Sequence, residues 1–155
     1  MTPKQRLSAA VGVGCCVVLT SYVPQFEGTI LRGYKDPIGI VTACTGNTKS
    51  AVLGKPYTKD ECEKLLVDDL IEHAAGVDGC VKRKLTTGEH AASISFAFNV
   101  GVGAFCSSTM ARKLNAGDPT ACAELDRWTK AGGQVLPGLV KRRTIERQIC
   151  EGKIG

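Results

Sequence analysis

The chain has little aromatic character: one Trp, three Tyr and four Phe in 155 residues. That scarcity removes the stacking platforms on which single-strand nucleic-acid binders lay successive bases, so nucleic acid is not an expected partner. Histidine is scarcer still, with only His73 and His90, and no Cys-x-x-Cys pair occurs. Neither His lies beside a cysteine pair, which argues against zinc; no metal and no cofactor is expected. Nor is there a leucine-rich run near the N-terminus. The apolar stretch Leu7–Val23, LSAAVGVGCCVVLTSYV, is diluted by Gly, Ala, Ser and Thr.

Cysteine, by contrast, is plentiful: eight residues, at 15, 16, 44, 62, 80, 106, 122 and 150. The six in the body of the chain read as disulfides formed in an oxidising compartment, with their pairing left open. Hydrophobic residues at 43% and charged residues at 23% are ordinary for a folded chain and exclude disorder. A chain of this length buries roughly two thirds of its unfolded surface, enough for a real core. The net charge is +5, with a basic excess towards the C-terminus at Arg127, Lys130, Lys141, Arg142, Arg143, Arg147 and Lys153. Such a surface favours an anionic partner, such as acidic lipid or an anionic wall polymer.

Lys4 and Arg6 precede the uncharged run at Leu7–Val23, the arrangement of a secretory signal with its positive end on the cytoplasmic side. No small-x-small cleavage site follows it. As one helix the run reaches about 26 Å, against a hydrocarbon core of about 30 Å. A marginal span of this kind can enter a bilayer and also leave it. A cleaved signal peptide, a lipoprotein signal at Cys15 and a buried N-terminal helix are the competing readings.

Beyond Pro24 the pattern predicts a helix starting near residues 25–31, then two or three short strands with glycine turns. Thr58 and Glu61 form a capping-box signature ahead of a helix ending near Gly76. Thr86 and Glu89 form a second, ahead of a helix stopped by Gly101-Val102-Gly103. Further helices are expected over 107–116, 118–130 and 137–150, with Pro119 and Pro137 at helix starts. The expected class is α+β: a small strand-bearing lobe, a larger helical lobe and a cleft between them, preceded by a weakly hydrophobic helix. The expected division is a segment at 1–24 and a catalytic domain at 25–155.

Glu27, Asp36 and Thr42 stand in the pattern E-x8-D-x5-T. Singly, each has a plain structural reading: an acid in a helix's first turn, a turn residue before Pro37, and a strand threonine. Together, within FEGTILRGYKDPIGIVTACTGNT, they resemble the phage lysozyme (endolysin, muramidase) family of glycoside hydrolases. SISFAFNVGVGAFCSSTMARKLNAGD resembles the family's central helix and the turn after it. RWTKAGGQVLPGLVKRRTIERQIC resembles its C-terminal block, so the likeness covers about residues 25–151. It implies a lysozyme-like fold and hydrolysis of the β-1,4 bond between N-acetylmuramic acid and N-acetylglucosamine in peptidoglycan.

Such chemistry passes through an oxocarbenium-like state and needs a proton for the departing oxygen. By resemblance Glu27 is the general acid, Asp36 the second carboxylate, and Thr42 the residue holding a water. Phe98 and Asn99 match positions lining the saccharide cleft. Gly46-Asn47-Thr48 departs from the G-H-T of many relatives. Arg142 and Arg143 match an R-R pair read here as structural or wall-facing. A lytic transglycosylase, or an inactive wall-binding protein of the same fold, is the alternative.

Leu7–Val23 is similar to the signal-anchor-release segments of some members. That implies an enzyme tethered to the host inner membrane, facing the periplasm, then released into the periplasm as a monomer. On release, Cys15 and Cys16 become available for exchange with a body disulfide, Cys44 being nearest the site.

Overall fold

The N-terminal apolar run folds as two helices joined at a glycine. In the computed structural model, which describes residues 1–155, α1 spans Pro3–Val11 and α2 spans Val13–Glu27. Thr2 caps α1: its Oγ1 accepts from the Gln5 backbone N–H at 3.1 Å, while the Gln5 side chain accepts from the Thr2 N–H at 2.8 Å. Gly12 sits at φ +89°, a conformation other residues adopt only with strain. It still keeps the ladder going, donating to the Ser8 carbonyl and accepting from the Cys16 N–H. No helix of the molecule is long and apolar enough to cross a membrane.

The chain divides into two compact units, Met1–Glu72 and His73–Gly155. The helix α3, Lys59–Cys80, contributes residues to both.

In the first unit, Leu7, Cys15, Cys16, Leu19 and Val23 are buried, so the weakly apolar run serves as core. Lys4 and Arg6 lie against the acidic side chains Glu63 and Asp68 of α3, at 3.6 and 2.9 Å. After α2 come β1, Ile30–Lys35, and β2, Val41–Cys44, paired antiparallel with Tyr34 opposite Thr42 and an irregularity between Ile30 and Tyr34. A Cβ on Gly33 would stand 1.8 Å from the Val52 carbonyl oxygen, so only glycine lets the 52–55 loop close against β1. The Cys44–Cys62 disulfide ties β2 to α3 beside Ala43 and Tyr57.

The second unit holds α4 (Thr87–Val100), α5 (Val102–Cys106), α6 (Thr109–Ala116), a 3-10 helix at Ala121–Arg127, the hairpin β3 (Lys130–Ala131) and β4 (Gln134–Val135), and α7 (Pro137–Cys150). Its core is α4 packed on α7, with Ile94, Phe96 and Ala97 fully buried. The Phe96 ring meets Phe105 and Trp128 edge-on, at centroid distances of 6.1 and 5.0 Å. Cys80–Cys106 and Cys122–Cys150 complete the three disulfides.

Both capping boxes form, and Pro137 opens α7. Three expectations change. No helix begins at residue 25; Glu27 instead ends the helix that starts at Val13. Pro24 lies inside that helix, one turn from its end, and there it withholds the N–H that would reach back to the Thr20 carbonyl. The helix expected over 118–130 is a short 3-10 turn, followed by a hairpin whose tight turn uses Gly132 and Gly133 at positive φ. The helix expected to end near Gly76 continues for another turn, as α3 runs on to Cys80.

Candidate functional site

Three consecutive elements of the first unit carry the predicted catalytic residues. α2 delivers Glu27 at its C-terminal end, half-buried, and Gly28 at φ +71° turns the chain into β1. β1 and β2 then present Asp36 and Thr42 on either side of their connecting turn. Glu27 Oε2 lies 3.5 Å from where a Cβ on Gly46 would be, so the carboxylate sits over the backbone just past β2. The acid is thus adjacent to the turn that follows β2.

Asp36 holds its own turn. One carboxylate oxygen, Oδ1, accepts from the Ile38 and Ile40 N–H groups at 3.0 and 2.8 Å, and the Asp36 N–H donates to the Ile40 carbonyl. This fixes the plane of the carboxylate through Oδ1. Thr42 is buried, at 6% exposure, and its hydroxyl donates to the Ile40 carbonyl at 3.1 Å. That bond takes the hydroxyl's one proton and leaves its oxygen as an acceptor.

Asn47, the departure from G-H-T, is turned inward. Its Oδ1 accepts from the Ser50 N–H and hydroxyl, and its Nδ2 donates to Asp69 on α3 at 3.3 Å. It braces the loop after β2. A cavity of about 390 Å³ opens in the same unit, lined by Thr20, Pro24, Thr29, Leu31, Thr45 and Cys62 among others. Glu27, Asp36 and Thr42 do not line it, so it is a packing feature of α2 rather than part of the candidate site.

Phe98 and Asn99 belong to the second unit, near the end of α4. The Phe98 ring is half-buried against His73, with centroids 5.2 Å apart. Asn99 is exposed, and its Oδ1 accepts from Arg143 Nη2.

Arg142 and Arg143 are not surface cations. They are 5% and 1% exposed and converge on Glu146, which is fully buried. Arg143 Nη1 donates to Glu146 Oε1 at 2.7 Å, Arg142 Nε to Glu146 Oε2 at 3.2 Å, and the Ser95 hydroxyl to the same Oε2 at 2.6 Å. Of the other basic residues in this region, Arg147 pairs with Asp126 and Glu151, and Lys153 with Glu151. The wall-facing basic surface expected from sequence is therefore smaller than the count suggested. Glu146 was not singled out beforehand, although its spacing of three and four from Arg143 and Arg142 on a helix is the signal for such a cluster.

Cys15 and Cys16 are buried and form no disulfide. Cys16 Sγ donates to the Lys4 carbonyl at 3.5 Å. In this form the six body cysteines pair with one another, and neither N-terminal thiol is engaged with Cys44.

A family model for phage lysozyme matches residues 24–146, the span that carries Glu27, Asp36, Thr42, Phe98, Asn99 and the Arg142–Arg143–Glu146 cluster. The chain belongs to the phage lysozyme family. As a phage lysozyme it is a peptidoglycan-cleaving enzyme with a mostly helical fold and small sheets. The SAR-endolysin of Bacteriophage PS119 is 44% identical over 160 residues, covering 97% of this chain and 96% of that protein. The muramidase domain of SpmX from Asticaccaulis excentricus matches with a TM-score of 0.77 and 32% identity, over 88% of this chain and 92% of that one. The endolysin from Escherichia coli O157:H7 phage FAHEc1 gives a TM-score of 0.80 at 27% identity, over 88% and 92% of the two chains.

Proposed function

We propose that this phage lysozyme hydrolyses the β-1,4 bond between N-acetylmuramic acid and N-acetylglucosamine, with Glu27 as proton donor. Asp36 stabilises the positive charge that develops on the sugar. Thr42, its proton committed to Ile40, accepts from and orients the attacking water. Phe98 and Asn99 contact the saccharide. The observation that carries the reading is the placement of Glu27, at the end of α2, against the turn that directly follows the strand bearing Thr42. A muramidase among the structural relatives supports the choice of bond.

The same reading assigns residues 1–24 to a signal-anchor-release segment and 25–155 to the catalytic domain. Leu7–Val23 holds the enzyme in the host inner membrane, facing the periplasm, until it leaves the bilayer and the protein acts in the periplasm as a monomer. The likeness to SAR-endolysins supports this. So does the burial of Leu7, Leu19 and Val23: residues given to lipid are withdrawn from the core of the unit that bears Glu27. Tethering and inactivity then have one cause.

The test is digestion of purified peptidoglycan by the full chain and by Glu27→Gln. Loss of general acid catalysis predicts a fall of at least about 100-fold, with reducing muramic ends in the wild-type products. A 1,6-anhydro product identifies a transglycosylase instead, and equal activity of the two proteins removes Glu27 from its role. For the tether, the intact chain should move from membrane to soluble fraction without shortening when the membrane potential is collapsed.

A further inference from the structure

Arg143 is too deeply buried to meet a glycan, yet one of its five donors reaches the surface. We propose that Arg143 is a positioning residue for substrate: by holding Asn99 Oδ1 it turns the Asn99 amide nitrogen outward as the donor that binds an acceptor oxygen of the sugar. The inference rests on the reading of Asn99 as a saccharide-contacting residue.

A guanidinium donates and never accepts, so only the oxygen end of an amide can face it. A flipped Asn99 would set N–H against N–H. The orientation of the amide is therefore fixed by the chemistry of its neighbour rather than by a choice between two equal rotamers. Arg143 is itself held on three sides. Its Nη1 donates to Glu146 at 2.7 Å, its Nε donates to the Trp128 carbonyl at 3.0 Å, and its guanidinium carbon lies 4.9 Å from the Phe96 ring centroid. Glu146 is in turn fixed by Ser95 and Arg142. A chain of hydrogen bonds thus runs from the fully buried Glu146 through Arg143 to the exposed Asn99. A charged donor at one end of an amide also strengthens the donors at the other. The acceptors presented by a β-1,4 glycan of N-acetyl sugars, amide carbonyls and hydroxyls, suit an outward-facing N–H pair.

The experiment uses the full-length, disulfide-intact protein and a soluble labelled glycan of alternating N-acetylglucosamine and N-acetylmuramic acid. Asn99→Asp keeps an oxygen for Arg143 and removes the outward donor. It should raise KM about tenfold, leave kcat within about twofold and leave the melting temperature unchanged or higher, since it faces Arg143 with a full negative charge. Arg143→Lys should raise KM similarly, and this effect should vanish in an Asn99→Ala background, because there is then no amide to orient. An Asn99→Asp protein with KM within twofold of wild type overturns the proposal, even if Arg143→Lys fails to fold. So does an Arg143→Lys effect that persists undiminished without Asn99. Glu27→Gln is run in parallel. If it is inactive while Asn99→Asp is unaffected, the positioning role alone fails; if it retains full activity, the assignment of the reaction fails first.

Discussion

Asn47 shows how a single side chain can change trade within a motif. Where the family pattern it resembles has a histidine, this chain places an amide that is spent internally, on Ser50 and on Asp69. Its value is structural. Asn47→Ala removes the hydrogen bonds to Ser50 and Asp69 that brace this loop, at a net cost of about 0.5–1.5 kcal/mol for each bond lost. Urea denaturation should show that loss, whereas activity at low denaturant should change little. Thr42 has a comparable double character, since its hydroxyl proton is used locally and only its oxygen remains as an acceptor, the atom proposed to hold a water. At this scale the resemblance to the family points to the proposed reacting groups, but not to their orientations. Whether Asp36 presents one oxygen or two depends on the Ile38 and Ile40 N–H groups, and backbone direction in a turn is not written in residue type.

At the scale of elements, the capping boxes at Thr58 and Thr86 were legible because a cap is a local exchange of hydrogen bonds between residues three apart. Glu27 was misplaced for the opposite reason. Apolar spacing in residues 7–23 reads alike for lipid and for protein core, and Pro24 was taken as a break although it lies in the last turn of α2. The bend at Gly12 is a testable consequence. Gly12→Ala meets the penalty of a positive φ, about 1–2 kcal/mol, in the folded form, while favouring a straight helix over 3–27. Hydrogen exchange should then quicken across Pro3–Val11 in the soluble protein. The pairing of α1 with α3 carries its own pH signature. The ammonium of Lys64, and with it the guanidinium of Arg6, holds the Asp68 carboxyl below its ordinary value. A carboxylate shifted this way supports the fold fully above its unfolded value of about 3.9, and that support is lost as pH falls through the lower folded value. Exchange in α1 should therefore accelerate below about pH 4, and less so in Asp68→Asn. Asp68 is partly exposed, so the effect on global stability is small and local opening is the sensitive measure.

For the whole molecule, the three disulfides staple loops that the hydrophobic core alone must otherwise close. Cys122 and Cys150 are 28 residues apart. Replacing both by Ser should cost about 3 kcal/mol, read as a lower melting temperature, with the second unit affected first. The presence of disulfides was evident from the number of cysteines; their connectivity was not, because pairing is decided by tertiary approach. The fold class and most helices of the second unit were likewise foreseen, while the Gly132-Gly133 hairpin lies in the gap between the helices expected over 118–130 and 137–150, for which no element was expected. The Arg142–Arg143 pair was open to a structural or a wall-facing reading, and its burial around Glu146 decides for the structural one.

One helix, α2, ends in the acid and is built from the residues proposed to anchor the protein. Val18, Leu19 and Val23 thus answer to two masters. On the proposed tether, any change that lengthens the stay in the envelope also edits the interior of the unit that bears Glu27. Clock and blade would then share the same few side chains, so selection on timing would be constrained by selection on sharpness.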